Sequence, residues 1–157
     1  MKKYSLQLLF AFIAASSLFS CTKDEITNGI QSGTVGANGL GAVTWVEGGG
    51  GAGTPIVCDS AYASAQYKSI FVYKGATTTR YFFEINLTSL APAIYSLSTS
   101  GNAVAYERPG TSGNTTGAGS ITVIINANNK LSGTGIVSIP SINDRVYITI
   151  KDLPIRP

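Results

Sequence analysis

Residues 81–88 read Tyr81-Phe82-Phe83-Glu84-Ile85-Asn86-Leu87-Thr88. Tyr81, Phe83, Ile85 and Leu87 fall on one face; Phe82, Glu84, Asn86 and Thr88 fall on the other. A period of two is that of a β-strand with one side on a core and the other toward solvent, since successive side chains point to opposite faces. The pattern recurs. Ile121, Val123 and Ile125 alternate with Thr122, Ile124 and Asn126, and Val146, Ile148 and Ile150 alternate with Arg145, Tyr147, Thr149 and Lys151. Shorter strands are expected at 41–46, 62–67, 69–74, 93–98, 102–108 and 130–139. Residues 60–67 are alanine-rich enough to fit helix or strand, and no segment carries a helical period.

Turn signals separate these runs. Lys74-Gly75-Ala76 and Ser100-Gly101-Asn102 interrupt two pairs, and Asn126 to Lys130 reads as a hairpin turn, because asparagine tolerates positive φ. Pro109 to Gly119 is a longer Gly/Ser/Thr loop, and Pro154 and Pro157 close the last strand. Short strands at this spacing predict an all-β fold, an antiparallel meander forming a β-sandwich or barrel.

Composition agrees. Only 12% of the 157 residues are charged, about half the usual share, and the polar remainder is mostly Gly, Ser, Thr and Asn. Such a chain lacks the Glu and Lys that sustain surface helices and suits strands and tight turns. The charge balance also excludes a function. Removing Lys2 and Lys3 with a leader leaves nine basic residues against eight acidic ones. That is no electrostatic footprint for nucleic acid.

The N-terminus directs the chain to a membrane. Met1-Lys2-Lys3 precedes an apolar stretch from about Leu6 to Leu18, too short for a permanent span. Leu18-Phe19-Ser20-Cys21 follows and resembles the lipobox of bacterial lipoproteins. The resemblance implies cleavage before Cys21, a diacylglyceryl group on its thiol, and a further acyl chain, typically palmitate, on its freed amine. Each buried methylene contributes about 0.8 kcal/mol, so two or three chains anchor the protein. Lys23, Asp24 and Glu25 resemble the surface-export signal of Bacteroidota lipoproteins, which implies an outer-membrane anchor facing the cell exterior. The chain thus divides into a signal peptide over 1–20, a lipidated cysteine and flexible tether over 21–39 reaching roughly 20–25 Å, and a β-domain over 40–157.

A second resemblance lies in the C-terminal half. Ala93-Ile94-Tyr95-Ser96-Leu97 is followed by Asn102-Ala103-Val104-Ala105-Tyr106, then Gly119-Ser120-Ile121-Thr122-Val123 and Leu131-Ser132-Gly133-Thr134. This order resembles a family of small Bacteroidota surface lipoproteins with a β-rich domain of unknown function; Gly135 stands where that family has an aromatic residue. The resemblance implies a fold and a location, with no activity attached.

The sequence carries little that points to catalytic chemistry. Gly48, Gly50 and Gly53 have the spacing of a dinucleotide loop, but Thr54-Pro55-Ile56-Val57 reads as extended chain where a phosphate-binding helix should begin. Histidine is absent, which removes the commonest general base and transition-metal ligand. Cys58 therefore lacks an imidazole partner and reads as a small buried residue. No catalytic residue, metal site or cofactor is expected. Glu84 and Glu107 are the one carboxylate pair that a small glycosidase-type hydrolase could use. Asn126, Asn128 and Asn129 lack the acids that calcium requires.

Binding character rests on aromatic residues. Trp45, Phe82 and Tyr147 are the candidate ligand contacts, the last two because they stand among polar neighbours on their strands. Asp59-Ser60-Ala61 resembles the pattern at which Bacteroidota O-glycosylate exported proteins, making Ser60 a candidate modification site. The sequence thus predicts a surface-exposed binding or interaction module for a glycan or protein partner. The alternatives are a purely structural envelope lipoprotein and, third, a small hydrolase.

Overall fold

The computed structural model describes residues 35–76, 79–111, 118–140 and 143–157. The lipidation and export readings at Cys21, Lys23, Asp24 and Glu25 lie outside them. The described residues are all-β, with ten strands: β1 (Val43–Glu47), β2 (Ile56–Val57), β3 (Ser60–Ser64), β4 (Ser69–Lys74), β5 (Tyr81–Asn86), β6 (Ala93–Ser96), β7 (Ala103–Glu107), β8 (Ala118–Ala127), β9 (Lys130–Ile139) and β10 (Asp144–Arg156). The ambiguous segment 60–67 is a strand followed by a turn. A single 3-10 turn at Gly49–Gly51 is the one helical piece among the described residues.

The strands form one curled mixed sheet, a half-barrel, in the order β6-β8-β9-β10-β3-β4-β5-β7, with β1 alongside β10 and β2 on β1. Two departures from a simple antiparallel meander shape it. The first is a bulge in β10 between Ile150 and Leu153. Asp152 takes a positive φ of 47° there, and its N–H donates to Ser132 Oγ at 3.0 Å. Before the bulge β10 pairs antiparallel with β1; beyond it Ile155 and Arg156 pair parallel with Ala63 and Ser64 of β3. A bulge bends its strand, so one long strand serves both arms of the sheet.

The second departure is the link 97–102. It carries the chain from β6 to β7, neighbours in sequence but at opposite ends of the strand order. Asn102 secures this crossing. Its Oδ1 accepts from the Thr88 N–H at 2.8 Å, and its Nδ2 donates to the Ser96 carbonyl at 2.9 Å.

The two arms face one another across an apolar core. Phe83, Ile85, Ile70, Val72, Val104, Ile121, Val146 and Ile148 are all buried in it, as their period-two placement predicts. Trp45 of β1 meets Phe83 of β5 edge-to-face at 5.2 Å, and Tyr106 of β7 stacks on Phe83 at 4.2 Å. These arrangements suit aromatic quadrupoles. The alternation expected for β8 fails at one point. A bulge between Val123 and Ile125 takes Ile125 off the core face, leaving Ile124 and Ile125 57% and 52% exposed. The β8–β9 hairpin turns on Asn128 and Asn129 at φ 53° and 56°, a pair of left-handed residues matching the twist of the flanking strands.

Candidate functional site

Alternation on the β3–β4–β5–β7 arm aims one set of residues outward. Tyr62, Phe71, Tyr73, Phe82, Glu84, Asn86 and Glu107 are half-buried on this face while their sequence neighbours enter the core. Strand register then sorts them. Tyr62 lies opposite Phe71, Tyr73 opposite Phe82, Phe71 opposite Glu84, and Phe82 opposite Glu107. Phe71 and Tyr73 are two apart on β4, hence about 6.8 Å apart along it. The four rings therefore run as a diagonal stripe across three strands. The Tyr62 and Phe71 rings are 5.2 Å apart at 33°, and Tyr73 and Phe82 are 5.1 Å apart at 38°.

A guanidinium caps each end of the stripe. Arg156 lies over the Tyr62 ring at 4.2 Å and Arg80 over the Phe82 ring at 6.0 Å, within reach of the cation–π attraction. Arg80 also grips Glu107 with two bonds, Nη2 to Oε2 at 2.9 Å and Nε to Oε1 at 3.3 Å. Beside the stripe, Asn86 Nδ2 donates to Glu84 Oε1 at 3.3 Å, and Ser69 Oγ lies 2.5 Å from Asn86 Oδ1. Partial burial, then the Tyr62 hydroxyl and the charge of Glu84, push the Tyr73 phenol above its usual value. It stays neutral, able to donate and accept. The face thus presents apolar rings edged by fixed donors and acceptors.

Of the three aromatic residues expected to contact ligand, Phe82 belongs to this stripe. Trp45 does not. It is only 1% exposed, because it occupies an inward position of β1, packed on Tyr81 and Phe83 with Nε1 donating to the Tyr106 hydroxyl at 3.3 Å. Tyr147 lies on the outer face of the other arm, opposite Val46 and Ile136. There it lines an open recess of about 450 Å³ with Gly50, Ser138, Asn143, Asp144 and Arg145. A Cβ on Gly51 would stand 3.1 Å from the Tyr147 ring, so the glycine run is a loop that packs on tyrosine.

Ser60 is half-buried on β3, opposite Tyr73 at one side of the stripe. The adjacent Asp59 closes a turn: its carboxylate accepts the Gly75 N–H at 2.7 Å and meets Lys74 at 3.5 Å. The Gly75 bond, aided by Lys74, holds Asp59 below the ordinary carboxylate range against the opposing effect of burial. Cys58 is fully buried, with Sγ 3.2 Å from the Gly39 carbonyl, and burial pushes its thiol up. Glu84 and Glu107 are diagonal neighbours on the open outer face, Glu107 already bound to Arg80. Among the described residues no three acidic or cysteine side chains gather as metal ligands, and no helix is long and apolar enough to cross a membrane.

Tyr62, Phe71, Tyr73 and Arg156 were not among the residues expected at a site. Ile70-Phe71-Val72-Tyr73 carries the same period of two as 81–88 and would have put Phe71 and Tyr73 on the outer face. The pairing of β10 with β3, which brings Arg156 to Tyr62, has no local sequence signal.

No protein-family model matches the chain, and neither a curated protein nor a solved structure is similar to it.

Proposed function

We propose that the chain is a lipid-anchored envelope protein, held in the outer membrane through acyl chains on Cys21 and facing outward, whose β-domain captures glycan on the Tyr62–Phe71–Tyr73–Phe82 stripe. Kinship with the small Bacteroidota surface lipoproteins belongs to the same proposal. The observation that carries the binding reading is the stripe itself. Outer faces of antiparallel sheets are ordinarily polar, and here four rings adjoin in register with a cation at each end. A pyranose ring offers apolar C–H faces that lie on aromatic rings, while its hydroxyls need partners at the edge. Glu84, Asn86 and the Tyr73 hydroxyl supply them. The rings hold one another by packing, so little side-chain freedom is lost on binding. Glu107 is neutralised by Arg80, which favours binding over hydrolysis.

Two experiments test this reading. Thermal shift of the full chain in mild detergent, against envelope and host polysaccharides, should give a saturable rise in Tm that Phe82→Ala removes. A flat response across the panel contradicts it. Cys21→Ala should release the protein from membranes, and retention of that variant would contradict the anchor.

A further inference from the structure

Building on the stripe as a binding face, we propose that its ligand is a glycan in which acidic and neutral sugars alternate, its carboxylate gripped by Arg156. The two cations at the ends of the stripe are not equivalent. Arg80 is bound to Glu107. Arg156 has no carboxylate within ion-pair distance among the described residues, where the three ion pairs are Lys74–Asp59, Arg80–Glu107 and Arg108–Glu47.

Arg156 is nevertheless fixed in place. Its backbone pairs with Ser64, its carbonyl accepts the Ala65 N–H at 2.8 Å, and its guanidinium carbon lies 4.2 Å from the centre of the Tyr62 ring, in cation–π contact. Arg156 is exposed, and its guanidinium N–H groups donate to no acceptor among the described residues. Those groups form a fork that matches a carboxylate with two parallel bonds. A held, unpaired cation at the end of an apolar track is a recognition element for an anion, and the track specifies an anion carried on a sugar ring.

Glu84 sets the second half of the specificity. It lies across two strand spacings from Tyr62, about 9.5 Å at the backbone, which is the scale of a disaccharide. Glu84 Oε1 accepts from Asn86, and Oε2 has no hydrogen-bond donor among the described residues. A carboxylate in that state accepts sugar hydroxyls and repels a second anion. The stripe therefore takes an acidic sugar at Arg156 and a neutral, hydroxyl-bearing one at Glu84. A chain acidic at every unit would set a carboxylate against Glu84.

The test is titration calorimetry of the full chain in mild detergent with hyaluronan and unsulfated chondroitin, their carboxyl methyl esters, polygalacturonate and neutral dextran. The alternating polymers should bind at least tenfold more tightly than their esters and than polygalacturonate. Arg156→Gln should cost the alternating polymers about tenfold and leave the esters unchanged, with the melting temperature preserved because the side chain is exposed. Phe71→Ala should lose every ligand. Glu84→Gln should relieve the penalty on polygalacturonate. Equal binding of acid and ester, or no effect of Arg156→Gln, overturns the acidic-glycan proposal. Preference for polygalacturonate overturns the alternation. Binding of dextran alone, lost in Phe71→Ala, leaves the stripe standing and removes the acidic ligand. No binding by any polymer refutes both.

Discussion

Removing one oxygen atom from the core, by Tyr106→Phe, should destabilise the domain by about 2 kcal/mol. The Tyr106 hydroxyl is the junction between the two arms. It donates to Glu47 Oε1 on β1 and accepts from Trp45 Nε1 at 3.3 Å, while the ring stacks on Phe83. Phenylalanine keeps the stack and the volume, so no cavity opens. The loss is one bond to a charged acceptor, about 1.5–3 kcal/mol, plus a weak bond to a buried indole N–H. Arg108, whose Nη1 is 2.9 Å from Glu47 Oε2, still holds the carboxylate and keeps the cost off the upper end.

For a domain of this size the loss corresponds to a fall in Tm of about 6–10 °C. Urea unfolding followed through Trp45, the single tryptophan, measures it at the affected site, with an unchanged m-value expected. Glu47→Gln and the double variant complete a cycle whose coupling should be about 1–2 kcal/mol. A change below about 0.5 kcal/mol, or additivity of the two substitutions, would refute the view that this junction ties the arms together.

Other outcomes follow from single features. Burial and the bond to Glu47 raise the Tyr106 phenol well above its ordinary value. The stability it contributes is complete below about pH 10 and declines as pH rises further and the unfolded phenol ionises. Alkaline unfolding should therefore be less steep in Tyr106→Phe than in the parent. Asp59 titrates the other way, with its folded value depressed: Asp59→Ala should cost less than about 1 kcal/mol at neutral pH. That difference should vanish on acidification below the folded value, as measured by urea unfolding at several pH values. Asn102→Ala strips the crossing link of two bonds and should cost about 2 kcal/mol. Gly133→Ala and Gly135→Ala should differ sharply in circular-dichroism melts. The first Cβ would stand 2.2 Å from the Thr122 carbonyl oxygen, the second 2.5 Å from the movable Ile121 Cδ1.

Legibility in the sequence tracked the range of the interaction. Period-two alternation located β4 at 69–74 and β9 at 130–139 with the bounds observed, because facing a core is a property of each residue and its neighbours two away. The hairpin turn expected over Asn126 to Lys130 was legible because asparagine tolerates positive φ, and it narrows to Asn128 and Asn129 between the two strands. The β8 bulge was not, since Ile124 and Ile125 continue the apolar pattern and only the partner strand displaces them. Strand order was not legible either. It depends on the β10 bulge, which lets a strand late in the chain pair with β3, some ninety residues earlier.

The candidate site divides along the same line. Phe82 stood out because Glu84 and Asn86 flank it on one strand. Trp45 had no such local context, and its inward orientation follows from pairing with β10 and packing on β5. Arg156 joins the stripe only through the parallel pairing at the end of the chain.

The most direct test of the binding face is a residue-resolved one: aromatic and methyl NMR spectra of the full chain in detergent micelles, titrated with chondroitin and hyaluronan oligosaccharides. Binding on the stripe should give saturable shifts at Tyr62, Phe71, Tyr73 and Phe82, with Tyr147 and the recess beside it unmoved. Shifts confined to Tyr147 and its neighbours, or none on the stripe at saturating ligand, would contradict it.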